Sequence, residues 1–362
     1  MDLGSMLKAA ALTGVVTLGA SPVLAQEGGM PFMAKMARSF GPTGLIAEFG
    51  QNESYGSFQT RQAWARSEIA AAAADNVWTG YADSARKLNM PVTLSFSLPG
   101  NTMGVRFKGT YSNTQADENM TYANSSGPSG LVELMAMPSS DLMLGFGVMT
   151  GKTDVDIQHN DGSITASNWG VQFDLLKTLS EHWGLAGRAI YRHNESDTVI
   201  PLGFADLETE QGSDVFYTEW TMVGNYEQDS LSWVPEGWLF RPRVRAVYAK
   251  TRFESVTNSL GRTNEGTVGE SDEYATVQAK VRLLQPVFRP GQTGFYVEGG
   301  YEREVINDLD LVVDDPNILH AKAGVSSMMK NGLFIDAGLG IEHGTKGKKD
   351  LKVLTVALSK TF

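Results

Sequence analysis

Alternation of apolar and polar residues is the feature that most constrains the fold of this chain. Between residues 103 and 362 the sequence contains twelve segments in which every second residue is apolar. Successive side chains of a β-strand point to opposite faces, so a period of two predicts twelve strands, each with one apolar face. The pattern is clearest in the last segment, whose apolar face carries Leu354, Val356, Leu358 and Phe362.

Two arrangements of such strands are compatible with alternation alone. A soluble sandwich buries its apolar faces in a core, whereas a membrane barrel turns them to lipid. The connections favour the membrane arrangement, because short predicted turns alternate with longer polar loops, as in outer-membrane barrels. The longer loops are predicted at residues 112–129, 151–163, 195–213 and 254–271.

Aromatic residues at both ends of three apolar faces also favour a membrane barrel. The two members of each pair are 8 to 10 residues apart. In a tilted strand this separation corresponds to about 20 to 25 Å, close to the height of the apolar band between two aromatic girdles. The predicted girdle residues are Trp183 with Tyr191, Phe216 with Tyr226, and Trp238 with Tyr248.

The composition excludes several other classes of protein. After the N-terminal segment no run of about 18 apolar residues occurs, so no transmembrane helix is predicted. A net charge of -11 and a pI near 5.0 argue against nucleic-acid binding. The sequence has no cysteine, which excludes a disulfide scaffold and a thiolate metal site. No cofactor is expected.

The N-terminal residues 1–25 have the three parts of a secretory signal peptide. A basic residue precedes an apolar core, and a small-residue cleavage site ends at Ala25. Either Met1 or Met6 is the natural start, since M-L-K is the more usual opening of such a signal. The chain is therefore predicted to be exported, and residues 26–57 form a short segment that is too small for its own core.

Residues 58–88 are predicted to form a helix or linker ahead of the strands. This stretch is rich in Ala, Arg, Glu and Gln, and Trp64, Ile69 and Trp78 are spaced unlike those of a strand. Upstream, the apolar residues 43–50 are consistent with a short strand.

The whole mature chain resembles the C-terminal translocator unit of autotransporters, most closely its subtilase-type branch. The resemblance is carried by the terminal Phe362, by V-T-L-S-F-S-L-P-G-N-T-M-G-V-R-F at residues 92–107, and by Y-G-S-F-Q-T-R-Q at residues 55–62. It implies an all-β, antiparallel, up-and-down transmembrane barrel with one N-terminal α-helix in the lumen. It also implies the outer membrane of a Gram-negative bacterium, with surrounding lipid and lipopolysaccharide. The barrel assembly machinery, which reads the terminal strand, and periplasmic chaperones are the partners implied during biogenesis.

Two features depart from the family pattern. Only residues 26–57 lie between the predicted cleavage site and the predicted helix, so no large passenger is expected. The alternating residues 92–98 add a thirteenth candidate strand, although a barrel with both termini in the periplasm needs an even number. The predicted barrel, residues 92–362, therefore has 12 strands, or 14 if residues 43–50 also join it.

Charged residues on the polar faces would line the lumen of this barrel. They fall into a basic group on nearby strands and an acidic group on strands further round the barrel. Opposed charge on facing walls is compatible with a transverse field, a socket for the helix, or mutual neutralisation in a wet interior. The predicted basic wall consists of Arg188, Arg192, Arg241, Arg243, Arg245, Lys280 and Arg282. The predicted acidic wall consists of Glu298, Glu302, Glu304, Asp336 and Glu342.

No pairing of a nucleophile with a base is convincing. His193 and Ser196 are three residues apart and point to opposite faces of a strand. His320 and Ser326 share a face, but about 20 Å of strand separates them. An aspartate-rich loop around Asp156 lacks the spacing and the final Glu of a calcium loop. Neither a catalytic residue nor a metal site is predicted.

The sequence thus predicts a translocator-like or structural role for an outer-membrane barrel whose lumen is plugged by its helix. A porin-like passive channel for small solutes is the alternative, and it requires the helix to lie outside the lumen or to leave it. An outer-membrane hydrolase is a third hypothesis, for which no site is found.

Overall fold

The computed structural model of the chain describes residues 30–49, 55–56, 58–59, 61–62, 83–116, 123–157, 161–261, 263–264, 271–309 and 315–362. The predicted signal peptide and most of the predicted helix lie outside the described residues. No helix within the described ranges is long and apolar enough to cross a membrane.

Thirteen of the described strands form one closed barrel, which confirms the predicted all-β, up-and-down membrane-barrel architecture. The first eight strands are β1 (Asp83–Ser97), β2 (Met103–Ala116), β3 (Ala123–Ser139), β4 (Leu142–Ile157), β5 (Gly162–Thr178), β6 (Trp183–Pro201), β7 (Asp206–Gly224) and β8 (Leu239–Phe253). Two short strands, β9 (Val256–Thr257) and β10 (Thr263–Asn264), pair outside the barrel. The barrel continues with β11 (Ser271–Leu284), β12 (Thr293–Asn307), β13 (Asn317–Met328), β14 (Phe334–Gly344) and β15 (Lys349–Thr361).

The two faces of the barrel wall have the polarity of a membrane barrel. Val281 and Val297 point outward and are 47% and 54% exposed, whereas Lys280 and Glu298, one residue away in sequence, are 9% and 8% exposed. In a soluble β-protein this relation would be reversed, because apolar side chains would fill the interior. The alternation in the sequence therefore predicts the two faces correctly.

The strand number differs from the predicted 12 and from the alternative of 14. β1 already begins at Asp83, inside the predicted helix, and lies between β2 and β15. It runs antiparallel to β2 and parallel to β15. Because the backbone N–H and C=O groups of a segment in the barrel wall must find hydrogen-bonding partners, this segment pairs as a strand despite its helix-favouring Ala, Arg and Lys residues.

The described N-terminal residues form helices. They are α1 (Phe32–Phe40), α2 (Leu45–Phe49) and the helical residues 55–56, 58–59 and 61–62. The short strand considered for residues 43–50 is therefore wrong, and Gly44, with a φ of 78°, lies at the turn between α1 and α2. The helical state of the described residues Phe58 to Gln62 agrees with the predicted helix.

The barrel has a proximal end, which contains Phe362, and a distal end. Connections at the proximal end run over residues 98–102, 140–141, 179–182, 225–238, 285–292 and 329–333. Connections at the distal end run over residues 117–122, 158–161, 202–205, 254–270, 308–316 and 345–348. Most distal loops are shorter than predicted because the strands continue through them. β6 and β7 have 19 residues each, whereas a tilted strand crosses a membrane in about 9 to 11 residues.

The N-terminal segment crosses the barrel from the proximal to the distal end. The Met33 N–H donates to Ser97 Oγ at the proximal end (3.1 Å), whereas Arg61 contacts Glu304 near the distal end. β1 then starts at the distal end, where Asp83 is the register partner of Lys349. Thirteen strands plus this passage through the lumen make an even number of crossings. An odd strand number is thus compatible with having both ends of the described chain on one side.

Candidate functional site

The lumen is the candidate functional site, because the N-terminal segment packs against its wall at both ends of the barrel. α1 contributes an apolar face with residues four apart, as expected for one side of a helix. This face, together with Leu45 of α2, packs on apolar inward side chains of the proximal wall. The resulting cluster consists of Phe32, Met36, Phe40 and Leu45 from the segment, and Met135, Met143, Leu176 and Val223 from the wall.

Polar contacts fix the same helices at the proximal end. The Lys35 ammonium donates to the Asn101 carbonyl oxygen (3.1 Å), and the Asn225 amide donates to the Pro42 carbonyl oxygen (2.9 Å). A close approach also occurs at Gly184, where a Cβ would lie 2.4 Å from Leu45 Cγ. The wall therefore has room for Leu45 because this position has no side chain.

A second contact region, which we name the distal socket, receives Tyr55 and Phe58. The Tyr55 ring meets Tyr217 edge-on, with centroids 4.9 Å apart. Phe58 lies between Tyr217 and Tyr274, at centroid distances of 5.7 and 5.8 Å. Both rings are buried. The remaining socket residues of the wall are Ile190, Val215, Val247 and Ala249.

Arg61 extends the docked face of the segment into a group of carboxylates. Its guanidinium forms an ion pair with Glu304, and it lies 3.7 Å from Glu302 and 3.8 Å from Glu342. It also lies over the Tyr274 ring, 6.0 Å from the centroid. Because Tyr55, Phe58 and Arg61 are three residues apart, one helical face presents two aromatic rings and a cation to the wall.

Further hydrogen bonds join the segment to the wall. The Gln62 amide donates to Thr251 Oγ1 (3.1 Å) and its carbonyl oxygen accepts from the Arg192 guanidinium (3.1 Å). Lys87 of β1 donates to the Gly56 carbonyl oxygen (3.1 Å). The segment is therefore bonded to β6, β8 and β1 as well as to the acidic residues of β12 and β14.

The residues of the predicted basic wall lie on the inward faces of β6, β8 and β11. Arg188 donates to Asp174 (2.7 Å) and Arg245 donates to Thr221 (2.8 Å). Arg241 donates to the Asn225 side-chain oxygen (3.3 Å). Lys280 is buried.

The residues of the predicted acidic wall lie on the inward faces of β12 and β14. β12 is the direct neighbour of the basic strand β11 and does not face it across the lumen, and β14 lies two strands beyond β12. Glu298 accepts from both Arg243 (3.0 Å) and Arg282 (2.7 Å), so the two groups meet at this carboxylate. Asp336 accepts from Tyr296 (3.2 Å) and Ser326 (2.5 Å).

The three remaining acidic residues also have partners on the wall. Glu302 lies 3.0 Å from His320, Glu304 accepts from Lys349 (2.8 Å), and Glu342 lies 3.8 Å from His320. These are the carboxylates that contact Arg61.

A buried charge cluster on the other side of the lumen was not predicted from the sequence. Arg106 of β2 lies 2.6 Å from Glu133 of β3 and 3.2 Å from Asp174 of β5. Asp174 also pairs with Arg188, which connects this cluster to the predicted basic wall. Each cluster residue stands between outward apolar neighbours in the sequence, and this was the signal that could have identified it.

The predicted girdle residues lie in two groups on the outside of the barrel. Tyr191 of β6 and Phe216 of β7 are register partners in the distal half of the barrel, and Tyr248 lies on the next strand, β8. At the proximal end the Trp183 and Tyr226 rings are 6.2 Å apart. Trp238 lies at the end of the connection 225–238.

The predicted terminal-strand residues lie on β15 or at its end. Leu354 and Phe362 are exposed on the outer surface, whereas Val356 and Leu358 are partly covered. Lys360 interrupts the apolar face in the sequence, and its ammonium lies 4.8 Å from the Phe362 ring centroid. A cation can stabilise an aromatic face at this distance, which accounts for the tolerated charge.

Three described histidines lie beside carboxylates, and one of these pairs is His343 with Asp350, 2.6 Å apart near the distal end. His193 lies 2.9 Å from Asp214 on the outer surface, and His320 lies beside Glu302 in the lumen. Ser326 donates to Asp336 and Ser196 donates to the Gln211 carbonyl oxygen, so neither of the serine and histidine pairs weighed in the sequence forms a dyad. Within the described ranges, no group of three or more His, Cys, Asp and Glu side chains is arranged to hold a metal ion.

Comparison with known proteins places this geometry in context. The family profile described as the autotransporter beta-domain matches residues 103–348, about two thirds of the chain. No curated protein sequence matches the chain.

Among solved structures, the translocator domain of the autotransporter NalP from Neisseria meningitidis has a TM-score of 0.50 at 11% identity. The likeness covers 86% of this chain and 94% of that chain. The beta domain of the Bordetella autotransporter Brka has a TM-score of 0.48 at 12% identity, over 71% and 96% of the two chains. At these identities the likeness concerns the fold.

Proposed function

Because this chain belongs to the autotransporter beta-domain family, we propose that it is a translocator-type outer-membrane barrel whose lumen is closed by its own N-terminal segment. We assign no catalytic reaction to it. The proximal end, which contains Phe362, faces the periplasm, and the distal end faces the cell exterior. Residues 1–25 direct export, and the barrel assembly machinery with periplasmic chaperones inserts the barrel.

The docking of Tyr55, Phe58 and Arg61 in the distal socket is the observation that carries this proposal. Full burial of a Phe side chain stabilises a contact by about 1.5 to 3 kcal/mol. The ion pair of Arg61 with Glu304 fixes the position of the docked face but adds little net free energy, because both charges regain water when the segment leaves the lumen. The docked state is therefore the favoured one.

A porin-like passive channel is the second candidate function, and the charged side chains on the lumen wall favour it. Arg243, Glu298 and Arg282 form a charged surface that would be hydrated if the segment left. The two functions share the closed state and differ in what crosses the barrel once the segment has left. A translocator then passes a polypeptide, whereas a passive channel conducts small solutes.

Thiol labelling tests the occupancy of the socket directly, because the chain contains no cysteine. Ala249 is buried beside Tyr55 and Phe58 in the distal socket, whereas Lys330 is exposed in a proximal turn. We expect Ala249→Cys to react with a water-soluble maleimide at least tenfold more slowly than Lys330→Cys. Adding Phe58→Ala and Arg61→Glu should remove this protection. Equal labelling of Ala249→Cys with and without these two changes contradicts the proposal.

A further inference from the structure

The contact between β1 and β15 differs from every other strand contact of the described barrel. It is the parallel pair, whereas the other neighbouring strands of the described barrel are antiparallel. Its ladder is also interrupted. Register partners run from Asp83 to Asn89 and from Val92 to Ser95, with none at residues 90 and 91. Parallel pairing is slightly less stable per residue, so this interrupted seam is weaker per residue than an uninterrupted antiparallel contact.

Pro91 explains the interruption. On the other side of β1, pairing with β2 is continuous from Ala85 to Ser97 and includes Pro91. Ser97, six residues after Pro91 and therefore on the same side of the strand, donates its N–H to the Phe362 carbonyl oxygen at the end of β15. The missing N–H of proline therefore falls on the side of β15. Proline is confined to edge strands or bulges in sheets, because it cannot donate to a ladder. Pro91 thus makes the sequence of β1 typical of an edge strand, although β1 has a neighbour on both sides in the closed barrel.

The remaining twelve strands form a complete unit without β1. The family match begins at Met103, the first residue of β2. β2 starts at the proximal end and β15 finishes there, so these strands would meet as antiparallel neighbours if β1 left. An even number of antiparallel strands closes a membrane barrel without a parallel pair.

β1 is also bonded to the N-terminal segment that packs against the lumen wall. Lys87 donates to the Gly56 carbonyl oxygen, one residue after Tyr55 of the docked face. Lys349, the register partner of Asp83, donates to Glu304, which also binds Arg61. The distal half of the seam and the distal socket therefore share contacts.

We propose that β1 is a detachable strand, and that the barrel opens along the β1–β15 seam when the N-terminal segment leaves the lumen. β2 and β15 then close the wall as twelve strands. The inference rests on the proposed function, since it concerns how the closed lumen is opened. Opening starts at residues 90 and 91, where the ladder is already interrupted.

A reversible lock across the seam tests the proposal in the full chain. Leu88 and Leu354 are register partners, so Leu88→Cys with Leu354→Cys should form a disulfide under oxidation. Leu144→Cys with Leu175→Cys is the matched control across an ordinary antiparallel contact, β4–β5. The readout is the frequency of transient channel openings in a planar bilayer under applied voltage, before and after reduction.

We expect the oxidised seam lock to open at least tenfold less often than the same protein after reduction, and the control pair to open equally often in both states. Pro91→Val, which restores the missing donor, should also reduce the opening frequency. The contrary result is that transient openings are equally frequent in the oxidised seam lock, in the reduced protein and in Pro91→Val. That result contradicts the proposal that β1 detaches, but it leaves the proposal of a closed lumen intact. A parent protein that conducts steadily from the outset overturns the closed lumen and, with it, this inference.

Discussion

Phe96 of β1 and the terminal Phe362 stack with their ring centroids 4.8 Å apart and their planes 6° from parallel. The last residue of the chain is thus held by the additional strand rather than by the first strand of the family match. Stacked aromatic pairs contribute about 0.5 to 1.5 kcal/mol beyond the area that they bury. The proximal end of the seam is therefore more firmly closed than the middle.

A double-mutant cycle can measure this stacking. We expect Phe96→Ala and Phe362→Ala to be coupled by about 0.5 to 1.5 kcal/mol in the free energy of unfolding. Phe146→Ala with Phe362→Ala serves as the control, because Phe146 lies on the distant strand β4. Equal coupling energies in the two cycles would contradict the role of the pair. The measurement is urea unfolding in detergent micelles.

Gly184 is expected to be sensitive to any side chain. Gly184→Ala places a Cβ against Leu45, and overpacking of this kind costs about 1 to 3 kcal/mol. Leu45→Ala in the same chain should restore much of the loss, because it removes the clashing atoms. Gly130→Ala is the control, since nothing lies within 4 Å of the added Cβ. Thermal melting measures all four proteins, and the absence of rescue would place Leu45 elsewhere.

The buried cluster around Glu133 should contribute strongly to stability. Glu133→Gln removes one of the two carboxylate charges beside Arg106, and breaking a buried ion pair costs about 3 to 5 kcal/mol. Glu195→Gln, at a carboxylate whose side chain is 72% exposed, should change stability by less than about 0.5 kcal/mol. Comparable unfolding midpoints for the two variants in urea would show that the cluster is dispensable.

Asp141 should titrate at unusually low pH. Hydrogen bonds from the Lys177 ammonium and the Ser139 hydroxyl lower the pKa of Asp141 from 3.8 to about 2. Because the folded-state pKa is depressed, the contribution to stability is fully present above about pH 4 and is lost as the pH falls through about 2. Lys177→Met should raise this pKa toward 3.8, whereas Lys152→Met should leave it unchanged. Carboxyl NMR titration measures both, and an unaltered pKa in Lys177→Met refutes the assignment.

The barrel itself was predictable from the sequence because its signal is local. Alternation places Glu219 inside and Trp220 outside, and this requires only the period of a strand. Asp83 to Leu88 was not predictable in the same way, because its composition favours a helix. Its strand conformation depends on the edges of β2 and β15, which are distant in the sequence.

The contacts of the lumen segment depend even more on the fold as a whole. Sequence composition predicts charges on the inner wall, but not that Glu302 and Glu304 contact Arg61 across more than two hundred residues. Arg106 was missed because a single arginine in a strand has no pattern of its own. Its meaning depends on Glu133, its register partner on β3, and on Asp174 of β5, which strand pairing rather than nearness in the sequence brings close.

Single-channel conductance in planar bilayers tests the closed lumen most directly. The full chain should be nearly closed at low voltage, and Phe58→Ala with Arg61→Glu should produce a large, steady conductance, because the docked face loses a ring and gains repulsion from Glu302 and Glu304. Arg289→Glu, an equal charge change at an exposed proximal turn, should remain closed. A full chain that conducts as well as the double variant would show that the N-terminal segment does not close the barrel.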